Sequence, residues 1–293
     1  MTNAPTVHWL GYRGADGSLD AAGIARALAS ARAAGQTLDV PISDELELSV
    51  RDAYQVQDEV AALRYAAGER RAGWKLGYTS QAMREQMGIA EPNFGPLTAP
   101  MLLASAAQVP PAALQPRAEP EIGLRLARRL TGPCTAAEAL AACSAAVACL
   151  EVVDSVWASY RFRLADNTAD LSSAAWVAVG GPLPLADLDR VRVTLTVNGA
   201  AAGTATGAAA DGHPANGLAW LAGQLAATGR ALQPGDLVIT GGLTAAVPVA
   251  PGRTVAAVFE PPAGTAVTVA VTGAAAAPPP ASARAGTPTQ ERP

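Results

Sequence analysis

The sequence predicts an α+β protein, helical at its beginning and strand-rich afterwards. Apolar residues recur at three- and four-residue intervals over 20–34 and 44–67, as on amphipathic helices. Strand-like runs fill the last third, at 191–199, 236–242, 254–260 and 265–273. No regular strand–helix alternation joins them, which sets aside a doubly wound sheet.

Taken in order, DAAGIARALASARAAG and DELELSVRDAYQVQDEVAALRYAA predict the two N-terminal helices. From Trp74 the texture changes. GWKLGYTS, residues 73–80, predicts a strand running into a turn, and QAMREQMG a short helix over 81–87 stopped by Gly88. The proline-bearing stretch Glu91 to Pro100 reads as a loop. Residues 119–130, EPEIGLRLARRL, alternate as a strand does, and TAAEALAACSAAVACL predicts a helix over 135–149 with Thr135 as N-cap and Glu138 closing a capping box. LEVVDSVWASY then opens a strand at Leu150. A single helix, PANGLAWLAGQLAA, interrupts the later strands, with Pro214 near its first turn. These elements divide the chain into a helical region over 1–70, a strand-rich body over 71–272, and a stretch over 273–293 whose prolines and small residues predict a disordered tail.

Composition narrows the function classes. The 293 residues carry 21 Lys plus Arg against 25 Asp plus Glu, with no basic block, so the cationic footprint of a nucleic-acid binder is missing. No apolar run approaches the roughly 18 residues of a membrane span, and the first 20 residues lack the apolar centre of a secretory signal, so a cytoplasmic setting is expected. Cys134, Cys143 and Cys149 lack paired CxxC spacing and read as buried free thiols. With only His8 and His213, a multi-histidine metal site is excluded, and His213 reads as a loop imidazole bonded to backbone at a helix start. Carboxylates must do any metal work. The glycine-rich ITGGLTAAVPV, residues 239–249, lacks the lysine of a phosphate loop; it lets a backbone turn approach a pocket, with Thr244 as a hydrogen-bond donor.

Glu119 and Glu121 are two apart on a predicted strand and therefore share a face. Glu151 opens the strand predicted after the 135–149 helix, so a strand–helix–strand unit sets it beside the first pair. Two readings stay open: a solvated strand face, or a divalent-cation site. Three packed carboxylates cannot all stay ionised without a cation, and an all-oxygen set suits Mg²⁺ or Mn²⁺ better than zinc. Lys75 alternates with Trp74 and Leu76, so it projects either to solvent on an edge strand or toward the acids.

These motifs together resemble the 2-keto-4-pentenoate hydratase and 4-oxalocrotonate decarboxylase family of the fumarylacetoacetate hydrolase superfamily. The resemblance rests on AYQVQ (53–57), GWKLGYTSQAMREQMGI (73–89), EPNFGPL (91–97), QPRAEPEIGL (115–124), LEVVDS (150–155), GHPANGLAWLA (212–222) and GDLVITGGLTAAVPVAPG (235–252). It implies a twisted β-roll catalytic domain over 71–272 and a divalent metal, Mg²⁺ or Mn²⁺, held by Glu119, Glu121 and Glu151. It also implies proton transfer or enolate stabilisation by Lys75. The implied substrate is a small 2-oxo or 2-hydroxydienoic acid of aromatic meta-cleavage catabolism, and the implied assembly a homo-oligomer. Thr79 and Ser80 either bind a substrate carboxylate or cap the following helix.

Three departures accompany the matches. Asn93 stands where hydratases of this family commonly carry an acid, and it orients water or substrate by hydrogen bonds rather than transferring a proton. The A-D-N-A-S-S stretch falls on 169–174 with Leu171 in place of asparagine, which makes Asp170 and Ser173 substrate-binding candidates; ADN at 165–167 is the same motif in a shifted register. D-S-R becomes Asp154-Ser155-Val156, one cation short. The leading expectation is hydration of a 2-hydroxy-2,4-dienoate to a 4-hydroxy-2-oxo acid. Its alternatives are decarboxylation of a 4-oxalocrotonate-type diacid and a noncatalytic partner subunit of the same fold.

Overall fold

The computed structural model describes residues 7–274 apart from 82, 83, 86 and 87. Side-chain caps start the long N-terminal helices. Asp20 accepts from the Gly23 N–H at the head of α1 (Ala21–Ala33). After the short α2 (Ile42–Glu45), Ser49 and Asp52 exchange capping bonds at the head of α3 (Val50–Ala66). The one helix expected over 44–67 is thus two, because the chain is extended at Leu46 and Ser49 nucleates afresh. Their apolar faces close around Trp9, Ile24, Leu28 and Val56 together with Val156 and Trp157, so the N-terminal helices share a core with a distant segment of the body.

The body consists of β1 (Arg71–Gly77), β2 (Asn93–Thr98), β3 (Leu102–Ala104), β4 (Ala107–Gln108), β5 (Arg117–Leu126), α4 (Ala136–Ala141), β6 (Cys143–Val153), α5 (Leu164–Ala169), β7 (Ala174–Leu183), β8 (Arg192–Val197), β9 (Ala200–Thr206), α6 (Pro214–Ala227), β10 (Leu237–Ile239), β11 (Val247–Pro248), β12 (Thr254–Glu260) and β13 (Val267–Thr272). One sheet runs β2-β1-β10-β5-β6-β7-β3 with β11 on β5, and the other β4-β13-β12-β8-β9. In the second sheet, β12 and β13 alternate buried and less buried positions, so one face lies on the core. Ile122, Leu124, Leu150, Leu195 and Phe259 fill the space with α6. The architecture is the α+β roll that the resemblance implies. Among the described residues no helix is long and apolar enough to cross a membrane.

Two segments depart from expectation, and both departures shape the site. The helix expected over 135–149 stops at Ala141, although Thr135 and Glu138 form the expected capping box. From Cys143 the chain is β6, paired on one side with β5 and on the other with β7. Pairing along an eleven-residue buried strand outweighs the helix preference of its alanines. The expected loop at 91–100 contains β2, which among the described residues pairs with β1 alone; an edge strand tolerates Pro96 because it has no second described neighbour to bond. The expected strand over 119–130 begins at Arg117 and ends at Leu126. Within the short helix expected over 81–87, Gln81, Arg84 and Glu85 are helical and the other positions at issue lie outside the described residues, as does the expected tail beyond 274. All three cysteines are free, with Cys149 buried and the other two partly exposed.

Candidate active site

The central feature is a register. In the antiparallel β5–β6 pair Glu119 lies directly opposite Glu151, and Glu121 opposite Cys149. Like charges facing across a ladder repel, yet one carboxylate oxygen from each of Glu119, Glu121 and Glu151 falls within 4.8 Å of the others. Glu121 and Glu151 are wholly buried, and Glu119 is partly exposed. Glu151 therefore reaches the pair across a hydrogen-bonded ladder, near the end of β6, and not through the strand–helix–strand unit anticipated from sequence.

β1 and β10 deliver the remaining parts. Trp74 and Leu76 enter the core between the sheets, while Lys75 turns the other way and is 4% exposed. Its Nζ donates to the Ser172 carbonyl at 2.8 Å and lies 3.4 Å from Glu151 Oε2. Past the end of β10, the Gly241 N–H donates to Glu121 Oε2 at 2.7 Å. Gly241 has φ +104° and abuts the Thr79 hydroxyl, and Gly242 abuts Glu119 so closely that a Cβ would collide with its carboxylate. The TGG turn is glycine because the backbone itself forms this wall.

The charges do not balance: three carboxylates face one ammonium. Burial, then Glu151, lifts the Glu119 carboxyl from its ordinary 4.5 to about 7. Burial with both neighbouring glutamates holds Glu121 well above the carboxylate range. For Lys75 burial disfavours the charge, but Glu151, Glu119 and Glu121 outweigh it and raise its pKa. Among the described residues Glu121 Oε1 and both oxygens of Glu151 are buried with no hydrogen-bond partner, the long ion pair from Lys75 to Glu151 Oε2 being the one compensation they have. Orphaned anionic oxygens are costly unless a cation meets them, and three converging carboxylates suit a hard divalent ion. The residues present fit such an ion.

A cavity of about 340 Å³ opens onto Lys75 and Glu119, of a size for a small ligand. Thr79, Ser80 and Ser173 line it, as expected. Asn93, Asp170 and Thr244 do not. Asn93 is fully buried behind the wall, where its Nδ2 donates to Asn167 and Thr168 at 3.0 Å and its Oδ1 accepts from Ser172 Oγ at 2.8 Å. It orients the residues that line the cavity rather than substrate. Asp170 is committed to Arg32 and the Val156 N–H. Thr244 packs against Gly203 and donates to the Ala245 carbonyl, and Gly242, Ala245 and Ala246 take its place in the wall.

Other lining residues escaped the sequence reading. Asn167, from the upstream ADN, lies in the wall and donates to Ser173 Oγ at 2.8 Å, so the cavity is lined from both registers, the asparagine from one and the serines from the other. Arg117 was legible in principle, since R-x-E-x-E puts it on the face of Glu119 and Glu121. Tyr160 and Phe162 carried no signal; a turn with positive φ at Ser159 and Tyr160 brings them in. His213 caps α6, its Nδ1 accepting from the Ala215 N–H at 3.0 Å, as anticipated.

A roll with a carboxylate trio beside a buried lysine defines a class of metal-assisted enzymes, and comparison places the chain within it. The family model for fumarylacetoacetate (FAA) hydrolase, C-terminal, matches residues 78–272, and the chain belongs to this family. It is 36% identical over 221 residues to 2-hydroxyhexa-2,4-dienoate hydratase of Comamonas testosteroni, covering 72% of this chain and 83% of that one. To 2-keto-4-pentenoate hydratase of Burkholderia vietnamiensis (strain G4) it is 38% identical over 242 residues, covering 80% and 92%. A solved structure of 4-oxalocrotonate decarboxylase from Pseudomonas putida G7, complexed with magnesium and adipate, superposes with a TM-score of 0.81 at 29% identity, covering 87% of this chain and 97% of that one. The chain is accordingly an enzyme of the lyase type.

Proposed function

We propose that the protein is a Mg²⁺- or Mn²⁺-dependent hydratase that converts a 2-hydroxy-2,4-dienoate to a 4-hydroxy-2-oxo acid in aromatic meta-cleavage catabolism. The observation that carries this reading is the buried trio Glu119, Glu121 and Glu151 with its orphaned oxygens beside Lys75. A divalent cation held there would supply Lewis-acid stabilisation of enolate charge. The chain's own groups do the rest. Lys75, fixed by the Ser172 carbonyl, holds and moves a proton at its Nζ. Asn167, Ser173, Thr79 and Ser80 present polar atoms for a substrate carboxylate, with Asn93 orienting Asn167 from behind and Asn167 in turn holding the Ser173 hydroxyl. The ring of Phe162 limits the water that reaches the substrate.

Incubation of the purified protein with Mg²⁺ and 2-hydroxypenta-2,4-dienoate is expected to bleach the dienol absorbance and yield 4-hydroxy-2-oxopentanoate. Turnover that persists undiminished after chelation would refute the metal-dependent reading.

Decarboxylation of a 4-oxalocrotonate-type diacid is the second reading, favoured by Arg117. This exposed side chain lines the cavity, stacks 4.8 Å over the Tyr160 ring and pairs with no carboxylate among the described residues. It stands two residues, about 6.8 Å, along β5 from Glu119, placed to receive a second carboxylate. Carbon dioxide released from 4-oxalocrotonate, with the dienoate left unchanged, decides for it. Activity of the isolated chain that disappears in Lys75→Ala excludes a noncatalytic partner subunit. A cytoplasmic setting and homo-oligomeric assembly belong to the same proposal; the free cysteines support the first, and sedimentation tests the second.

A further inference from the structure

Three consecutive residues with side chains, Leu171, Ser172 and Ser173, hold φ of 52°, 57° and 56°. Left-handed backbone is unfavourable for such residues and persists only where the surroundings over-determine it. This turn carries two parts of the site. The Ser172 carbonyl accepts from Lys75 Nζ, and the Ser173 hydroxyl lies in the cavity wall.

What holds the turn comes from the other end of the sequence. Asp170, the residue before it, is buried and accepts from Arg32 Nε at 3.1 Å and from Arg32 Nη2 at 2.7 and 2.8 Å. The same Nη2 donates to the Asp154 carbonyl at 2.6 Å, and Nη1 reaches the Asp154 carboxylate at 3.3 Å. Both aspartates bind the turn through their backbones: the Ser173 N–H donates to the Asp170 carbonyl at 2.8 Å and the Asp154 N–H to the Ser173 carbonyl at 2.9 Å. One guanidinium from the last turn of α1 therefore fastens both ends of the strained segment. It also supplies the cation that D-S-V lacks, since Val156 is apolar and buried in the N-terminal core.

We infer that Arg32 is a positioning residue for Lys75, clamping the 171–173 turn so that the Ser172 carbonyl keeps the ammonium at its working place. The inference rests on Lys75 acting in the reaction proposed above. Without the clamp the turn relaxes, the carbonyl withdraws, and Nζ loses the acceptor that fixes its place. Proton transfer suffers, whereas the carboxylate trio, built on β5 and β6, does not depend on the turn.

The test compares Arg32→Met, Arg32→Lys and the double variant Arg32→Met/Val156→Arg. The readouts are steady-state kcat and KM with the dienoate and Mg²⁺, calorimetric Mg²⁺ affinity, thermal melting, and amide hydrogen exchange at Asp154 and Ser173. In Arg32→Met, kcat is expected to fall about ten- to a hundredfold, with faster exchange at those two amides, a rise in KM as Ser173 shifts, and Mg²⁺ affinity close to wild type. Restoring a guanidinium from position 156 recovers most of the lost turnover. Arg32→Lys, which keeps the charge but loses the planar fork, falls between, and it decides the matter if the methionine variant does not fold.

Wild-type kcat in folded Arg32→Met or in Arg32→Lys overturns the inference. So does loss of Mg²⁺ affinity in step with kcat, or a double variant that regains melting temperature without turnover. Lys75→Met separates the two levels. If that variant turns over normally, the reading of Lys75 itself falls and takes this inference with it; if it is inactive while Arg32→Met is not impaired, only the inference falls.

Discussion

Two clusters of buried charge lie on either side of the 171–173 turn, built on opposite plans. Around Arg32, two aspartates share one guanidinium, and backbone N–H groups of Leu114, Gln115 and Val156 complete their shells. Around Lys75, three glutamates share one ammonium, a single backbone N–H reaches Glu121, and among the described residues three oxygens have no hydrogen bond, one of them meeting only the Lys75 ammonium at 3.4 Å. Burial alone therefore does not mark a functional site. The first cluster is satisfied within the chain and holds a shape, while the second keeps buried oxygens that no described residue hydrogen-bonds, in an arrangement that suits a divalent cation. Orphaned buried oxygen, rather than acidity, separates a binding site from an internal brace.

Removing a charge should act oppositely in the two clusters. Glu151→Gln is expected to produce the largest effect on function: Mg²⁺ affinity falls beyond the roughly hundredfold that loss of an outer partner costs, turnover falls with it, and the metal-free melting temperature holds or rises because a repulsion has gone. Calorimetry and melting curves on the stripped protein check both signs, and a large drop in metal-free stability would erase the contrast. Lys75→Met should reduce turnover at least about a hundredfold and destabilise the metal-free protein, since the glutamates lose their internal cation.

In the other cluster, Arg32→Met leaves two buried aspartates uncompensated. The expected loss is about 3 kcal/mol of stability, measured by denaturant unfolding. A loss below about 1 kcal/mol would reduce the brace to an ordinary surface pair.

The pH response sharpens the contrast further. A carboxyl whose pKa is higher in the folded than in the unfolded state retains its proton on folding. The cost of ionising Glu119 in the metal-free fold is thus absent below about 4.5, grows as pH rises, and is complete above about 7. Metal binding would displace that proton and the one on Glu121, so Mg²⁺ affinity should fall by at least about tenfold per unit as pH drops below about 7. The Mg²⁺-induced rise in melting temperature should accordingly be larger at about pH 8 than at about pH 6. A pH-independent affinity would show that the trio is already ionised without metal.

The smallest effects concern residues displaced from the site by the structure. Asn93→Asp replaces two buried amide donations with a charge and should cost about 1–3 kcal/mol, with no gain in proton-transfer ability. Thr244→Val, outside the cavity, should change stability by less than about 0.5 kcal/mol and leave turnover unaltered.

Much of the site was legible before any coordinates. E-x-E on a strand fixes two carboxylates on one face, and the alternation of Trp74, Lys75 and Leu76 sets the lysine opposite its apolar neighbours, with the choice between solvent and the acids left to the fold. Thr135 with Glu138, and His213 with Pro214, announce their helix starts through local bonds that need no distant partner. The errors share one cause. Residues 143–149 look helical because alanine favours helix, but their conformation is set by β5 and β7, whose pairing is invisible locally. Asn93 and Asp170 look like site residues because they stand in chemically suggestive motifs, and only their partners, Asn167, Thr168 and Arg32, show what they do.

The sequence by itself determined the α+β class and set Glu119 and Glu121 on one face, because these follow from short-range periodicity, while the third carboxylate and the part played by Lys75 were implied only by the family resemblance. Tertiary structure decided the rest. It placed Glu151 opposite Glu119, brought Arg32 to the aspartates beside the turn, and left three carboxylate oxygens buried without a hydrogen bond from any described residue. Such facts depend on ladder register and on contacts between residues far apart in the chain, and free energies of that kind exist only once the whole fold is closed.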